Sequence, residues 1–318
     1  METKLVRIAE ISATSKHPIF TSVYHLINED MLKQCHKELD GNKAVGIDKV
    51  TKDEYGKNLD RNIKELVQRL KNKSFKPLPS LRVYIPKGNG KKRPLGIASY
   101  EDKIVQMAVK KILGAIYEPR FLNCMYGFRP NRGCREAIKE VYQRISYGKI
   151  SYIVDADIKG FFDHIDHDWM MKFLEWNIQD KNLLWLIRKY LKAGIMEQGK
   201  FEPTEEGSAQ GSVMSPMLAN IYMHHVLTLW FKLVVQREMQ GECFLVNFAD
   251  DFVAGFQYKS EAERYYKELK ERMEKFGLEL ESSKSRLIEF GRFAEQNRRA
   301  RGCLLYTSDA ADERSSVD

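Results

Sequence analysis

The chain has 318 residues, 30% of them charged, and a formal net charge of +8, so it can form one large domain or two smaller ones and favours a polyanionic partner. It contains no run of about 18 apolar residues that would predict a membrane span, and its first residues lack the apolar core of a signal peptide. Its five cysteines are scattered and include no C-x-x-C motif, which argues against a disulfide framework and favours a reduced, cytoplasmic protein without a membrane partner.

The first hundred residues combine helices, one strand and a basic loop. The spacing of apolar residues over 1–40 predicts helices with one buried face, and a turn-rich break leads into another helix. The alternation of residues over 81–86 predicts a strand. The loop that follows, 87–94, contains two glycines and four cations, among them Lys87 and Arg93, and suits a triphosphate. It lacks the spacing of a Walker loop, and a basic turn of this kind is often only solvated.

The next segment predicts two helices around an irregular loop. The helices cover 101–117 and 135–146, and the loop, 124–133, holds two arginines and two aromatic side chains. Arginine and aromatic rings together can contact phosphates and stack on bases. The composition of the loop is therefore suited to nucleic-acid contacts.

Carboxylates recur at two predicted strand ends in the second half of the chain. One strand carries Asp155 and Asp157 on the same face, so periodicity cannot choose between them. Two β-prone runs over 244–256 predict a hairpin with Asp250 and Asp251 at its tip. Adjacent carboxylates repel each other, and a divalent cation such as Mg²⁺ relieves the repulsion. Paired aspartates also occur in ordinary polar turns, so the prediction depends on the third carboxylate.

The remaining elements predict packing more than chemistry. Asp166 is expected to cap a helix. A strongly apolar helix over 214–235 carries His224 and His225, which diverge by about 100° and are assigned to packing or to the surface. The pattern is completed by helices over 182–194 and 260–276 and by a strand over 285–290.

Five segments together carry a resemblance that no single motif would support. They are IPKGNGKKRPLGI at 85–97, YGFRP at 126–130, DADIKGFFD at 155–163, QGSVMSPMLANIY at 210–222 and FADD at 248–251. In this order and spacing they resemble the group II intron reverse transcriptase–maturases. The sequence departs from that family in having Phe248 where the family usually has Tyr, and Ala209 where it usually has Pro.

The resemblance implies a fold and a chemistry. The fold would be α+β, the fingers and palm of a right-hand polymerase. The activity would be that of an RNA-directed DNA polymerase, which joins dNTPs to a DNA primer on an RNA template, with a role in splicing and mobility of the intron RNA. By the same resemblance, the catalytic residues and Mg²⁺ ligands would be Asp157, Asp250 and Asp251, with Asp155 in a supporting position.

The resemblance also assigns residues to the incoming nucleotide. Lys87 and Arg93 would hold the triphosphate, and Lys284 would lie near the phosphates. Gln210 would line the nucleotide pocket, and Phe162 would lie under the sugar and exclude a 2′-hydroxyl. Without the resemblance, Phe162 is only an aromatic side chain of the core.

The expected organisation is a helical N-terminal extension over 1–40, fingers and palm over 41–302, and a non-native read-through tail over 303–318. The family's helical thumb is expected to be missing. A second interpretation stays open, in which the chain is a non-catalytic RNA-binding maturase fragment whose palm only supports intron RNA. A retron-like or defence-associated enzyme is a further alternative, although the five segments fit intron enzymes better.

Overall fold

A computed structural model describes residues 2–86, 90, 92–208, 211–290, 294, 296 and 299. Helices dominate the N-terminal part, because apolar side chains at helical spacing pack into one core. The helices are α1 (Glu2–Thr14), α2 (Glu29–Glu38), α3 (Lys52–Gly56), α4 (Leu59–Lys71), α5 (Tyr100–Tyr117), α6 (Cys134–Tyr147), α7 (His167–Glu175), α8 (Lys181–Leu191), α9 (Ser215–Met223), α10 (Gln236–Glu238) and α11 (Lys259–Lys275). Short 3₁₀ turns cover Tyr24–Leu26 and Phe161–Asp163.

Side-chain caps fix where several of these helices begin. The carboxylate of Asp166 accepts a hydrogen bond from the N–H of Trp169 at 2.8 Å, which confirms the predicted cap of α7. Asn28 caps α2 in the same way, through the N–H of Met31 at 3.1 Å. Such bonds satisfy N–H groups that have no partner within the helix.

The strands form two sheets. They are β1 (Ser80–Pro86), β2 (Lys92–Ile97), β3 (Tyr152–Asp157), β4 (Ile195–Glu197), β5 (Lys200–Glu202), β6 (Cys243–Phe248), β7 (Asp251–Phe256) and β8 (Arg286–Glu289). The first sheet has the order β2-β1-β4-β5, and the second sheet has the order β6-β7-β3-β8. No local pattern predicts the hairpin of β4 and β5, because each strand is short and β4 pairs with the distant β1.

The second sheet divides its side chains between two environments. Val154, Ala156 and Phe252 face the main core, whereas Ile153 and Val246 join a smaller cluster under α6. Because side chains alternate along a strand, the face that carries Ile153 also carries the aspartates of β3. The mixed helix–sheet architecture confirms the predicted α+β class.

A long apolar helix runs through the core. α9 continues through wider π turns at His224–Thr228 and Phe231–Val235 into α10. Contrary to the expectation from the sequence, the stretch Ser215–Glu238 is, by length and composition alone, long and apolar enough to cross a membrane. However, 72% of the 18-residue apolar segment within this helix is buried inside the structure. Packing against other helices of the core therefore accounts for its composition.

One arginine of the loop 124–133 has a structural role that the composition of the loop does not predict. Arg129 is only 9% exposed. Its guanidinium donates to Glu118 Oε1 at 2.6 Å and to the carbonyls of Leu122 and Met125 at 2.9 and 3.0 Å. The expected phosphate contact is therefore wrong for Arg129, because its donors are used within the protein.

Replacing Arg129 by Met is expected to lower the free energy of unfolding by about 3–5 kcal/mol, since the carboxylate of Glu118 loses its buried partner. Arg132→Met is the matched control. Arg132 donates to Asn123 near the surface, so its loss is expected to cost less than about 1 kcal/mol. Urea-induced unfolding of both variants measures the difference. Equal losses would show that Arg129 does not support this loop.

Candidate active site

Three carboxylates lie at one end of the second sheet. β3 ends at Asp157, and the antiparallel register of β3 and β7 places Asp157 directly opposite Asp251. Ala249 and Asp250 form the two-residue turn between β6 and β7, which brings Asp250 next to this pair. The predicted hairpin with an Asp-Asp tip is therefore confirmed.

Register separates the two aspartates of β3, which periodicity could not do. Asp155 lies opposite Val253 of β7 and Arg286 of β8, two residues before the end of the strand. Asp157 is therefore the carboxylate of β3 that meets the hairpin tip.

The tip is held in place by the loop that precedes α6. Ala249 adopts a left-handed backbone conformation with φ of 59°, and the side chain of Asn247 donates to its carbonyl at 2.8 Å. The backbone of Asn247 pairs with Cys124 and Tyr126 through two hydrogen bonds of 2.8 Å. The side chain of Asn247 is fully buried. Asn247 thus links the aspartate turn to a loop more than a hundred residues earlier in the chain.

Close approach between the two segments requires a glycine. A Cβ added at Gly127 would lie 2.3 Å from the backbone nitrogen of Ala249, a distance that no side chain can adopt. Sequence reasoning missed the roles of both Gly127 and Asn247. A polar residue inside the otherwise apolar stretch FLVNF was the available signal for Asn247.

Lys284 brings a positive charge to the same end of the sheet. Its ammonium contacts Asp157 Oδ2. The turn that carries Lys284 is tied to β3, because the N–H of Glu281 donates to the carbonyl of Asp157 at 2.8 Å. The hydrogen bond to Asp157 raises the pKa of Lys284. The ammonium therefore stays charged and partly neutralises the carboxylates.

The surroundings of Asp250 and Asp251 nevertheless disfavour the charged forms of both side chains. Burial raises the pKa of Asp250, and repulsion from Asp157 adds to the rise, while Arg93 and Lys284 oppose it. Partial burial, followed by repulsion from Asp250 and Asp157, also raises the pKa of Asp251, the more exposed of the pair. Burial and repulsion together therefore disfavour the ionised forms of Asp250 and Asp251 more than the neighbouring cations favour them.

This set of donors fits a divalent cation. Carboxylate oxygens are the hard ligands that Mg²⁺ prefers, and burial together with mutual repulsion raises the pKa values of Asp250 and Asp251, so a bound cation would favour their ionised forms. Among the described residues, no three His, Cys, Asp or Glu side chains are arranged to hold a metal ion as they stand. Lys284 is bound to Asp157, so a cation would have to replace the ammonium there. Asp157, Asp250 and Asp251 remain the predicted ligands.

The predicted triphosphate-binding residues are only partly described. Arg93 lies on β2, opposite Ile85, and its charge opposes the rise in the pKa of Asp250. The charge of at least one cation of the basic loop therefore acts on the carboxylates. Lys87 and Gln210 lie outside the described residues.

A further residue, not predicted from the sequence, fixes the chain just after Gln210. The side-chain oxygen of Gln106, on α5, accepts hydrogen bonds from the hydroxyl of Ser212 at 3.0 Å and the N–H of Val213 at 3.1 Å. Gln106 is buried, so these bonds are shielded from water. In the sequence, the feature that could have indicated this role of Gln106 is a glutamine within the otherwise apolar face of α5.

Phe162 lies in the 3₁₀ turn that follows β3 and is 9% exposed. Its ring meets Phe161 and Phe128 edge to face, with centroid distances of 5.4 and 6.5 Å. It also lines a cavity of about 270 Å³ together with Leu95 and Gly96 of β2. Phe162 is thus both a core side chain and part of a cavity wall, and its sugar-excluding role stays a prediction.

Comparison with known proteins agrees with this geometry. Residues 85–305 match the family described as reverse transcriptase (RNA-dependent DNA polymerase). The chain is 37% identical to the group II intron-encoded protein LtrA of Lactococcus lactis subsp. cremoris over 238 residues, which are 74% of the chain and 39% of LtrA. It is 37% identical over 204 residues to an uncharacterized 91 kDa protein in a cob intron of Schizosaccharomyces pombe, covering 63% of the chain and 25% of that protein. It is also 37% identical over 187 residues to protein YkfC of Escherichia coli, covering 58% of the chain and 49% of YkfC.

The chain belongs to the reverse transcriptase family, whose match covers more than half of its residues. Within that family, the chain is similar to proteins encoded by or located in introns, among them the group II intron-encoded protein LtrA. The matched region spans less than half the length of each of these three relatives.

Asp250→Asn is expected to stabilise the metal-free protein near neutral pH. A raised native pKa means that the native state binds more protons than the unfolded state, so stability falls as pH rises from about 4, the unfolded value, through the native pKa. The amide cannot ionise, so the variant should lose this part of the pH dependence. Thermal unfolding in EDTA from acidic to neutral pH measures it.

The same variant should gain less thermal stability from added Mg²⁺ than the wild type, because it has lost a charged ligand. Asp168→Asn, on the exposed side of α7, serves as the control and should change neither behaviour. A destabilised Asp250→Asn protein at neutral pH would contradict the proposed repulsion.

Proposed function

We propose that the chain is the fingers and palm of an RNA-directed DNA polymerase encoded by a group II intron. The proposal rests on the register that sets Asp157 opposite Asp251, with Asp250 in the adjoining turn. The family generally uses divalent metal ions, and Mg²⁺ held by these carboxylates would stabilise charge on the attacking and leaving oxygens. A non-catalytic RNA-binding role would not require three carboxylates to be kept together against their repulsion.

The proposed reaction adds one deoxynucleotide to a DNA primer. The 3′-hydroxyl oxygen of the primer forms a bond to the α-phosphorus of a dNTP, the bond from that phosphorus to the bridging oxygen breaks, and pyrophosphate leaves. The hydroxyl proton passes to water. Negative charge grows on the transferred and leaving oxygens, so cations fixed nearby lower the barrier.

Arg93 and Lys284 are the described cations that we assign to this role. They lie on different elements, β2 and the turn before β8, and both act on the charge of Asp250. Lys87 and Gln210 would complete the nucleotide pocket. Phe162 would pack under the deoxyribose and exclude a 2′-hydroxyl, which would select dNTPs over ribonucleotides.

The proposed template is intron RNA, and the wider role is splicing and mobility of that intron. The net charge of +8 supports a polyanionic partner, because phosphate contacts dominate the affinity of proteins for nucleic acids. Two of the relatives are encoded by or located in introns, which supports the choice of RNA.

Asp157→Ala is expected to reduce DNA synthesis by roughly a hundredfold or more, since it removes a ligand that positions transition-state charge stabilisation. Asp155→Ala is the matched control on the same face of β3 and should retain most activity. Addition of a single dNTP to a primer on an RNA template, at excess enzyme, measures the chemistry without requiring long extension. If Asp155→Ala is inactive while Asp157→Ala is active, the assignment along β3 is wrong.

Arg93→Gln is expected to raise the KM for dNTPs by about tenfold, because one charge-assisted hydrogen bond to the triphosphate is lost. Its affinity for template RNA should change little. Lys92→Gln is the control, since neighbouring residues of a strand face opposite sides of the sheet. Equal effects on dNTP use and RNA binding would make Arg93 a general RNA contact.

A further inference from the structure

Phe128 has an unusual backbone conformation for an aromatic residue. Its φ of 57° lies in the left-handed region, where the Cβ of a bulky side chain crowds the backbone. The residue is nevertheless 51% exposed, so burial of the ring does not fully offset this strain. Strained residues of this kind persist only where the surrounding structure holds them, and they concentrate at functional sites. Packing in the core therefore does not account for the conformation of Phe128.

The residues on both sides of Phe128 are fixed by contacts within the protein. The backbone of Gly127 packs against Ala249, and its carbonyl accepts a hydrogen bond of 2.8 Å from the buried side-chain amide of Asn220. On the other side, the guanidinium of Arg129 is buried and bonded to a carboxylate and two carbonyls. Neither neighbour can turn without losing these bonds. The contacts therefore fix the backbone of Phe128 and, with it, the direction in which its ring projects.

Phe128 adjoins two parts of the proposed nucleotide site. It directly follows Gly127, which is packed against Ala249 in the aspartate turn. Its ring meets the ring of Phe162 edge to face, with the centroids 6.5 Å apart. The proposed function gives the aspartate turn to the reacting phosphate and Phe162 to the sugar. Phe128 therefore lies beside both of the positions that one bound nucleotide has to span.

Phe162 by itself offers little surface to a sugar. It is 9% exposed, and much of its ring packs against Phe161 and the main core. Its aromatic neighbour Phe128 has the larger exposed apolar surface. A deoxyribose that rests on Phe162 would gain further apolar contact by also covering Phe128.

We propose that Phe128 is a second specificity-determining residue for the incoming nucleotide, and that its ring forms one wall with Phe162 against the deoxyribose. This assignment rests on the proposed function of the chain. The apolar C2′ edge of a deoxyribose suits the two rings, whereas a 2′-hydroxyl would be placed against carbon atoms without a hydrogen-bond partner. Phe128 thereby contributes both to the affinity for dNTPs and to the rejection of ribonucleotides. Its fixed backbone keeps the ring in place before the nucleotide binds.

Phe128→Asn tests the assignment, because asparagine adopts the left-handed conformation more readily than most residues and so keeps the backbone while removing the ring. Addition of a single dATP or ATP to a DNA primer on an RNA template, at excess enzyme, measures the effect. The half-saturating concentration of dATP should rise roughly fivefold with little change in the maximal rate, and the preference for dATP over ATP should fall by a similar factor. Phe128→Tyr keeps the ring and should restore both values.

Phe290→Asn is the matched control. Phe290 is also a half-exposed phenylalanine, at 53%, but its N–H donates to the carbonyl of Ser151, just before β3 and at the end of that strand remote from Asp157. Its replacement should leave the half-saturating concentration of dATP and the preference for dATP unchanged.

The outcomes separate this assignment from a purely structural role and from the proposed function. If Phe128 only supports its loop, Phe128→Asn would lower the melting temperature and the fraction of active enzyme without altering nucleotide affinity or sugar preference, and the assignment would be refuted. Equal changes in Phe290→Asn would refute it as well. Failure of the wild-type chain to add either nucleotide would refute the proposed function itself, and this assignment with it.

Discussion

Mutual repulsion among Asp157, Asp250 and Asp251 is the constraint on which the rest of the site depends. Three carboxylates at one sheet end oppose folding unless other parts of the protein hold the strands in register and supply positive charge. Register is fixed by the continuous antiparallel ladder of the second sheet. Positive charge comes from Lys284, whose turn is bonded to the end of β3, and from Arg93 on the first sheet. Burial and the repulsion that remains raise the pKa values of Asp250 and Asp251, and a divalent cation bound between them would oppose both effects.

The supports of the site come from distant parts of the chain. Asn247 is bonded to Cys124 and Tyr126, and Gly127 allows the two backbones to meet. Arg129 in turn holds the same loop to the end of α5 through Glu118. A change in this loop would therefore reach the aspartate turn through a chain of short hydrogen bonds. The proposed reaction would require such stiffness, because catalysis of this kind depends on charged groups that are fixed in position before the reaction begins.

Net charge alone does not reveal which cations serve a ligand. Arg129 is internal and satisfied by protein groups, whereas Arg120 donates to the carbonyl of Ser12 beside a cavity of about 320 Å³. Lys284 is bound to a carboxylate, and Arg93 stands close to another. These arginines and lysines are equivalent in composition and differ only in what surrounds them. The packing role that the sequence predicts for His224 and His225 is confirmed, since His224 is buried and the ring of His225 is stacked on Phe173.

Local sequence was sufficient for much of the fold. Helix spacing located α5, α6 and α11, alternation located β1 and β3, and the resemblance of five segments identified the reverse transcriptase family. Local sequence patterns could not predict the short hairpin of β4 and β5, because it is stabilised by pairing of β4 with β1, a strand more than a hundred residues earlier in the chain. The choice between Asp155 and Asp157 on structural grounds also needed the tertiary structure, since both lie on one face and only the register with β7 sets Asp157 opposite Asp251. The sequence by itself thus determined which residues could do the chemistry, and the tertiary structure decided which of them meet, because contact, burial and the balance of charge depend on segments that are far apart in the chain.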